Sequence, residues 1–184
     1  MKLKTSSPGK PPEAEGGVFL DANFLIALTN ERDRCHAAAW DLLQELFREV
    51  VATGRSLCTS TRVLDEVWWK AAELICDETR GRGAWNRLSK SRRREALREA
   101  SGDLAALMQG LELVGVVILG VPAETAAVAL SLVSDPHESF EPADAFHLAV
   151  MRLHGLGTIV TNDADFRRAS GVRVLRFEPP LSAT

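Results

Sequence analysis

Apolar residues recur along this chain in two periods. Val18-Phe19-Leu20, Leu57-Cys58-Thr59, Val114 to Val121, Thr158 to Thr161 and Val172 to Phe177 are short runs with little polar interruption, and they read as strands. Between them the apolar positions fall three and four apart. Ala39, Leu42, Leu43, Leu46 and Phe47 mark a helix within Cys35 to Val50. Val63, Leu64, Val67, Trp68 and Ala71 mark another, with Ser60 or Thr61 placed to cap it. Phe24 to Leu28 carry the first strand into a helix of its own. Pro122 precedes an alanine-rich helix from Ala123 to Val133, and Pro142 opens one that runs through Leu153 to Gly155 and Gly157. Gly81-Arg82-Gly83 interrupts the third helix, after which a basic helical stretch continues to Leu107; Asn162 to Phe166 reads as a turn into a short helix.

Strands that alternate with helices require right-handed crossovers and a mostly parallel sheet covered on both faces. The expected fold is a three-layer α/β/α sandwich. Its domain should span 18–178. Residues 1–17, rich in Pro and Gly, read as a disordered N-terminal tail, and residues 179–184 as a C-terminal tail.

With 184 residues, 46% hydrophobic and 26% charged, the chain has the composition of one globular domain. A net charge of -3 supplies no global attraction to nucleic acid. Cys35, Cys58 and Cys76 are odd in number and widely spaced, as reduced thiols of a cytoplasmic protein would be. No signal-peptide stretch is visible, and the apolar run Leu113 to Val121 is too short to span a bilayer. Neither a Walker-type phosphate loop nor a Gly-x-Gly-x-x-Gly turn is present, so nucleotide hydrolysis and dinucleotide chemistry lose their usual support.

The informative chemistry is acidic, and position singles it out. Ligands of open α/β sheets bind beyond the carboxyl ends of the strands. Asp21 follows the first strand, Asp163 and Asp165 follow the strand ending at Thr161, and Asp144 lies in the first turn of the helix before that strand. Each has an ordinary alternative as a helix cap, a turn residue or, for Glu66, a solvated helix position. Together they repel one another and call for a cation. A cluster offering only oxygen suits Mg²⁺ or Mn²⁺ rather than zinc.

These residues also carry a resemblance. Phe19-Leu20-Asp21-Ala22-Asn23-Phe24 resembles the opening Asp-x-Asn motif of the PIN domain. Glu66 in Val63-Leu64-Asp65-Glu66-Val67 matches the family's helix glutamate, and Asp144 in Ala143-Asp144-Ala145-Phe146-His147 matches its third acid. Thr161-Asn162-Asp163-Ala164-Asp165-Phe166 matches the closing Thr-x-Asp-x-Asp-Phe segment. The resemblance spans Val18 to Phe177 and is nearest to the VapC toxins of bacterial toxin-antitoxin pairs. It implies a Mg²⁺-dependent endoribonuclease whose catalytic acids and metal ligands are Asp21, Glu66, Asp144 and Asp163, with Asp165 as the alternative fourth acid. Asn23 and Thr161 are implied as residues that orient the site. The implied partners are an RNA substrate, a small antitoxin protein and a second copy of the chain, with no membrane. The alternatives are a PIN ribonuclease of RNA processing outside any toxin pair and a PIN module that only binds RNA or protein.

Arg80, Arg82, Arg92 and Arg93, with Trp85 among them, offer phosphate-binding charge and a stackable ring for RNA. The alternative is a solvated helix face paired with Glu95, Glu99 and Asp103. His147, one turn after Asp144, reads as a partly buried structural histidine that could also touch substrate. Trp40, Trp68 and Trp69 read as core or dimer contacts.

Overall fold

A computed structural model describes residues 16–179; the expected tails lie almost wholly outside them. Five strands form one sheet: β1 (Val18–Leu20), β2 (Leu57–Ser60), β3 (Val117–Leu119), β4 (Thr158–Val160) and β5 (Arg173–Leu175). Their spatial order is β3-β2-β1-β4-β5, and every pairing is parallel, with Phe19 registered between Cys58 and Ile159. Strands buried on both faces need no polar alternation. Accordingly, every residue of β1, β2 and β4 is buried.

Helices α1 (Ala22–Thr29) and α2 (His36–Thr53) connect β1 to β2. Then α3 (Thr61–Arg80), α4 (Ala84–Arg87), α5 (Lys90–Glu99) and α6 (Ser101–Leu113) connect β2 to β3, and α7 (Glu124–Ser134) and α8 (Pro142–Leu153) connect β3 to β4. A 3₁₀ turn over Asp165–Arg168 leads to β5. The chain steps outward from β1 to β3 and then returns across β1 to β4. Right-handed crossovers in opposite directions place α1 to α6 on one face and α7 and α8 on the other. The sandwich expected from the sequence is therefore present, with a sheet that is wholly parallel.

Local chemistry sets the helix ends. Ser60 Oγ accepts from Val63 N–H at 3.2 Å and starts α3, Pro142 occupies the first turn of α8, and Gly54, at φ 70°, closes α2 in the left-handed region.

Three expectations need correction. The run Val114 to Val121 yields a strand only over Val117–Leu119, because α6 extends to Leu113 and Gly115, at φ 71°, turns the chain before the sheet. Val172 to Phe177 shortens to Arg173–Leu175, an edge strand that pairs only with the three residues of β4. The basic stretch is three helices, with Ser89 capping α5 and a break at Ala100.

Those helices enclose a second, smaller core. Trp85 is 1% exposed and packs with Ala72, Cys76, Ala84, Ala96 and Ala100. Asp77 accepts from Gly83 N–H at 2.7 Å and Trp85 N–H at 2.9 Å, which holds the Gly81–Gly83 turn and drives the ring inward. These bonds also keep the Asp77 carboxyl below its ordinary range. Trp69 meets Trp85 edge-on at 5.0 Å, and the Arg93 guanidinium covers both rings. Trp40, Trp68 and Trp69 are themselves exposed, so they are not core residues.

Candidate active site

The direction of strand order reverses beside β1, between β1 and β4, and the carboxyl ends of these two strands meet there. Asp21 leaves β1 and Thr161 leaves β4. Asp21 is 5% exposed. Its Oδ1 accepts from Ala22 N–H at 2.7 Å, while its Oδ2 accepts from Thr161 Oγ1 at 2.7 Å and Asn23 Nδ2 at 2.9 Å. The Thr161 hydroxyl in turn accepts from Asn23 Nδ2 at 2.7 Å and from Asp163 N–H at 3.0 Å. One hydroxyl thus donates once and accepts twice, its full capacity. Asn23 and Thr161 stand where the sequence motifs put them, against Asp21.

The closing segment is tied from both sides. Asn162 N–H donates to Asn23 Oδ1 at 3.3 Å, and Asn162 Oδ1 accepts from Phe177 N–H at 3.1 Å. Asp163 Oδ1 accepts from Asp165 N–H at 2.8 Å, just before the 3₁₀ turn. Asp165 pairs with Arg168 at 3.3 Å.

Glu66 approaches from α3 and Asp144 from α8. Glu66 is half exposed, and its Oε2 lies 3.3 Å from His147 Nε2. That contact holds the Glu66 carboxyl below its ordinary range. His147 is 2% exposed, and its Nε2 also lies 4.0 Å from Asp21 Oδ1. The histidine therefore bridges acids of two separate segments from the centre of the site. Sequence reasoning set it among structural residues; its place one helical turn after Asp144 was the available signal.

The electrostatics record the crowding. Burial raises the Asp21 carboxyl, against the lowering effects of His147, Thr161 and the Ala22 amide. Asp144 is pushed up to about 6, first by burial and then by the charge of Asp163, with Asp21 and Asp165 adding to it. Asp163 thus acts on Asp144 more strongly than Asp165 does.

The structure brings Asp21, Asn23, Glu66, Asp144, Thr161, Asp163 and Asp165 to one edge. As the side chains stand, no three His, Cys, Asp or Glu groups among the described residues close on a common point. The donor chemistry nonetheless suits a hard divalent cation, because every acid offers only oxygen and their mutual repulsion is what such an ion relieves.

The basic residues belong elsewhere. Arg80 lies fourteen residues beyond Glu66 on α3, about 21 Å along the helix axis. It pairs with Glu99 at 3.0 Å, and Arg92 pairs with Glu95 at 2.8 Å. Arg93 donates to the Trp85 carbonyl at 3.2 Å, whereas Arg82 is exposed on the glycine turn. The buried Trp85 ring has no free face for a base, which corrects the expectation of a stacking platform.

A wholly parallel sheet with acids from four segments near its switch point is the α/β arrangement that the motifs imply. The chain belongs to the PIN domain family, whose model matches residues 18–172. No curated protein matches its sequence. Among solved structures it is similar to VapC20 of Mycobacterium tuberculosis, described as a toxin cleaving the sarcin-ricin loop, with 22% identity over 84% of this chain and 95% of that one and a TM-score of 0.52. It is also similar to VapBC2 of Rickettsia felis bound to a promoter DNA fragment, with 13% identity, coverage of 88% and 98% and a TM-score of 0.53. A third similarity is to FitAcB of Neisseria gonorrhoeae, with 19% identity, coverage of 88% and 97% and a TM-score of 0.52. At these identities the likeness is one of fold. Among the described residues, no helix is long and apolar enough to cross a membrane.

Proposed function

We propose that this protein is a Mg²⁺-dependent endoribonuclease, with Mn²⁺ as a possible substitute, and that it acts as the toxin of a VapBC-type pair. One observation carries the reading: Asp21 stands at the sheet's switch point with its Oδ2 held by Thr161 at 2.7 Å and Asn23 at 2.9 Å, and Glu66, Asp144 and Asp163 gather beside it. Such a cluster is stable in ionised form when a cation shares it.

Asp21, Glu66, Asp144 and Asp163 would hold the ion. A bound divalent ion supplies a water made nucleophilic near neutral pH and a counter-charge for the phosphate oxygens. The chain's own residues set the rest. Thr161 and Asn23 fix the Oδ2 of Asp21 through two hydrogen bonds, so its orientation is determined before any substrate arrives. His147 holds the Glu66 carboxylate through its Nε2 at 3.3 Å and lowers its pKa. Asp163 is taken as the fourth acid because, after burial, its charge acts on Asp144 ahead of that of Asp165, which pairs with Arg168.

The partner of this reading is a small antitoxin that neutralises the enzyme; the structures of similar fold include VapBC2 and FitAcB. A homodimer and a cytoplasmic location complete it. Purified protein should cut single-stranded RNA in Mg²⁺ and leave it intact in EDTA, and Asp21→Asn should abolish cutting. Cleavage that persists undiminished in EDTA overturns the metal mechanism; equal growth of cells expressing wild type and Asp21→Asn overturns the toxin role.

A further inference from the structure

Beside the acidic cluster lies a cavity of about 480 Å³, within the size range of small-ligand sites. Its walls are Arg62 and Asp65 from the first turns of α3, Val121 after β3, and Pro142, Ala143 and Phe146 from the start of α8. Three wall residues directly precede members of the site in sequence: Asp65 precedes Glu66, Ala143 precedes Asp144, and Phe146 precedes His147. The Glu66–His147 contact joins the same two helices, so the cavity opens next to the place where the ribonuclease reading puts the scissile phosphate.

The walls divide into two kinds. Val121, Pro142 and the partly buried Phe146 offer a flat apolar lining for a ring. Arg62 and Asp65 offer opposite polar functions side by side, with Arg62 Nη1 2.8 Å from Asp65 Oδ2. A guanidinium donates in pairs and a carboxylate accepts in pairs. Single-stranded RNA is read by stacking a splayed base and hydrogen-bonding its edges. Guanine is the base that suits both groups twice over. Its N1–H and N2–H match a carboxylate, and its O6 and N7 match a guanidinium. Cytosine gives the carboxylate one donor group, N4–H; adenine gives it N6–H alone, and uracil N3–H alone.

We propose that this cavity is a guanine-binding subsite that places a guanine next to the cleaved phosphodiester. The proposal rests on the ribonuclease reading for its consequence in cleavage, but the subsite itself binds a base without metal.

The test therefore begins with binding. The full chain in EDTA is titrated with the four nucleoside 5′-monophosphates and followed by NMR shifts. Guanosine monophosphate should bind roughly ten-fold more tightly than the other three, the discrimination carried by one bidentate pair. Inosine monophosphate lacks the N2 amine and should lose most of that advantage on the wild-type chain. Arg62→Ala and Asp65→Asn, both at exposed positions, should erase the preference while the far-UV circular dichroism stays unchanged. In Mg²⁺, wild type should cut single-guanine RNAs beside the guanine, and the two variants should cut without regard to base. Equal binding of all four nucleotides, preference for another base, or a guanine preference that survives both variants overturns the subsite. Cutting without base bias removes the subsite and leaves the nuclease. Guanine-selective binding without cutting supports the subsite and removes the nuclease.

Discussion

The hydroxyl of Thr161 donates to Asp21 Oδ2 at 2.7 Å, joining the carboxyl ends of two neighbouring strands across 140 positions of sequence. Both residues are buried, so neither has water as an alternative partner. Thr161→Val keeps the shape but removes one of the three hydrogen bonds to the buried Asp21 carboxylate and an acceptor from Asn23 and the Asp163 amide. We expect a loss of about 1–3 kcal/mol in denaturant unfolding together with a large fall in cleavage. Thr161→Ser should retain most of both. A Val variant as active as wild type would remove the orienting role.

Asp144 gives a pH dependence of known sign. Its carboxyl titrates near 6 in the folded chain against an ordinary 3.8, so the native state binds the proton more tightly than the unfolded one. The associated stability is complete below pH 3.8 and is lost as pH rises through about 6. Asp21, also raised, acts in the same direction. In EDTA, urea unfolding of wild type should weaken over this window relative to Asp144→Asn. Added Mg²⁺ should stabilise wild type more at pH 7 than at pH 5. A variant with the same pH profile as wild type would count against the cluster.

His147 acts on Glu66 through one nitrogen. His147→Gln can still donate from its side-chain amide, whereas His147→Leu leaves Glu66 and Asp21 without a bridge. The Gln variant should keep measurable cleavage, and the Leu variant should require several-fold more Mg²⁺ for half-maximal rate. Identical metal dependence in the two variants would assign the histidine to packing alone.

Trp85 belongs to the second core. Trp85→Ala should cost about 3–5 kcal/mol by cavity formation, read from thermal or denaturant unfolding. The exposed pairs Arg80–Glu99 and Arg92–Glu95 are screened by solvent and should add little to stability. Alanine at either arginine should therefore leave stability nearly unchanged.

Cys35, Cys58 and Cys76 are free and buried, and burial pushes the Cys58 thiol up to about 11. Native protein at pH 8 should resist thiol reagents, and unfolding should release all three thiols. Rapid labelling of Cys58 in the native chain would contradict its burial.

How much of this was legible depends on whether a signal was local. Asp21 directly after the apolar triplet Val18-Phe19-Leu20, and Asp163 two residues after Thr161, announce the edge of a parallel sheet, because strands buried on both faces carry no charged residue until they end. Pro142 and Asp144 mark a helix start in the same way. What a helix packs against is not local. The stretch containing Arg80 to Arg98 looks like a charged face in sequence, yet Asp77 folds it back on α3 and buries Trp85. The apolar run at Val114 suggests a long strand, although only the edge positions facing β2 find partners. His147 was visible as a neighbour of Asp144, but its contact with Glu66 depends on two helices 81 positions apart.

The central strand β1 waits for its second neighbour until β4 has been made. Emerging from a ribosome, the chain would present Asp21 and Glu66 early, but Thr161 and Asp163 arrive 140 and 142 residues after Asp21. Until then the sheet lacks the strand that closes over Asp21, and the acids have no common edge. The acidic centre is therefore assembled only after β4 has formed, and a chain that has not reached Thr161 lacks the residue that fixes the Asp21 carboxylate.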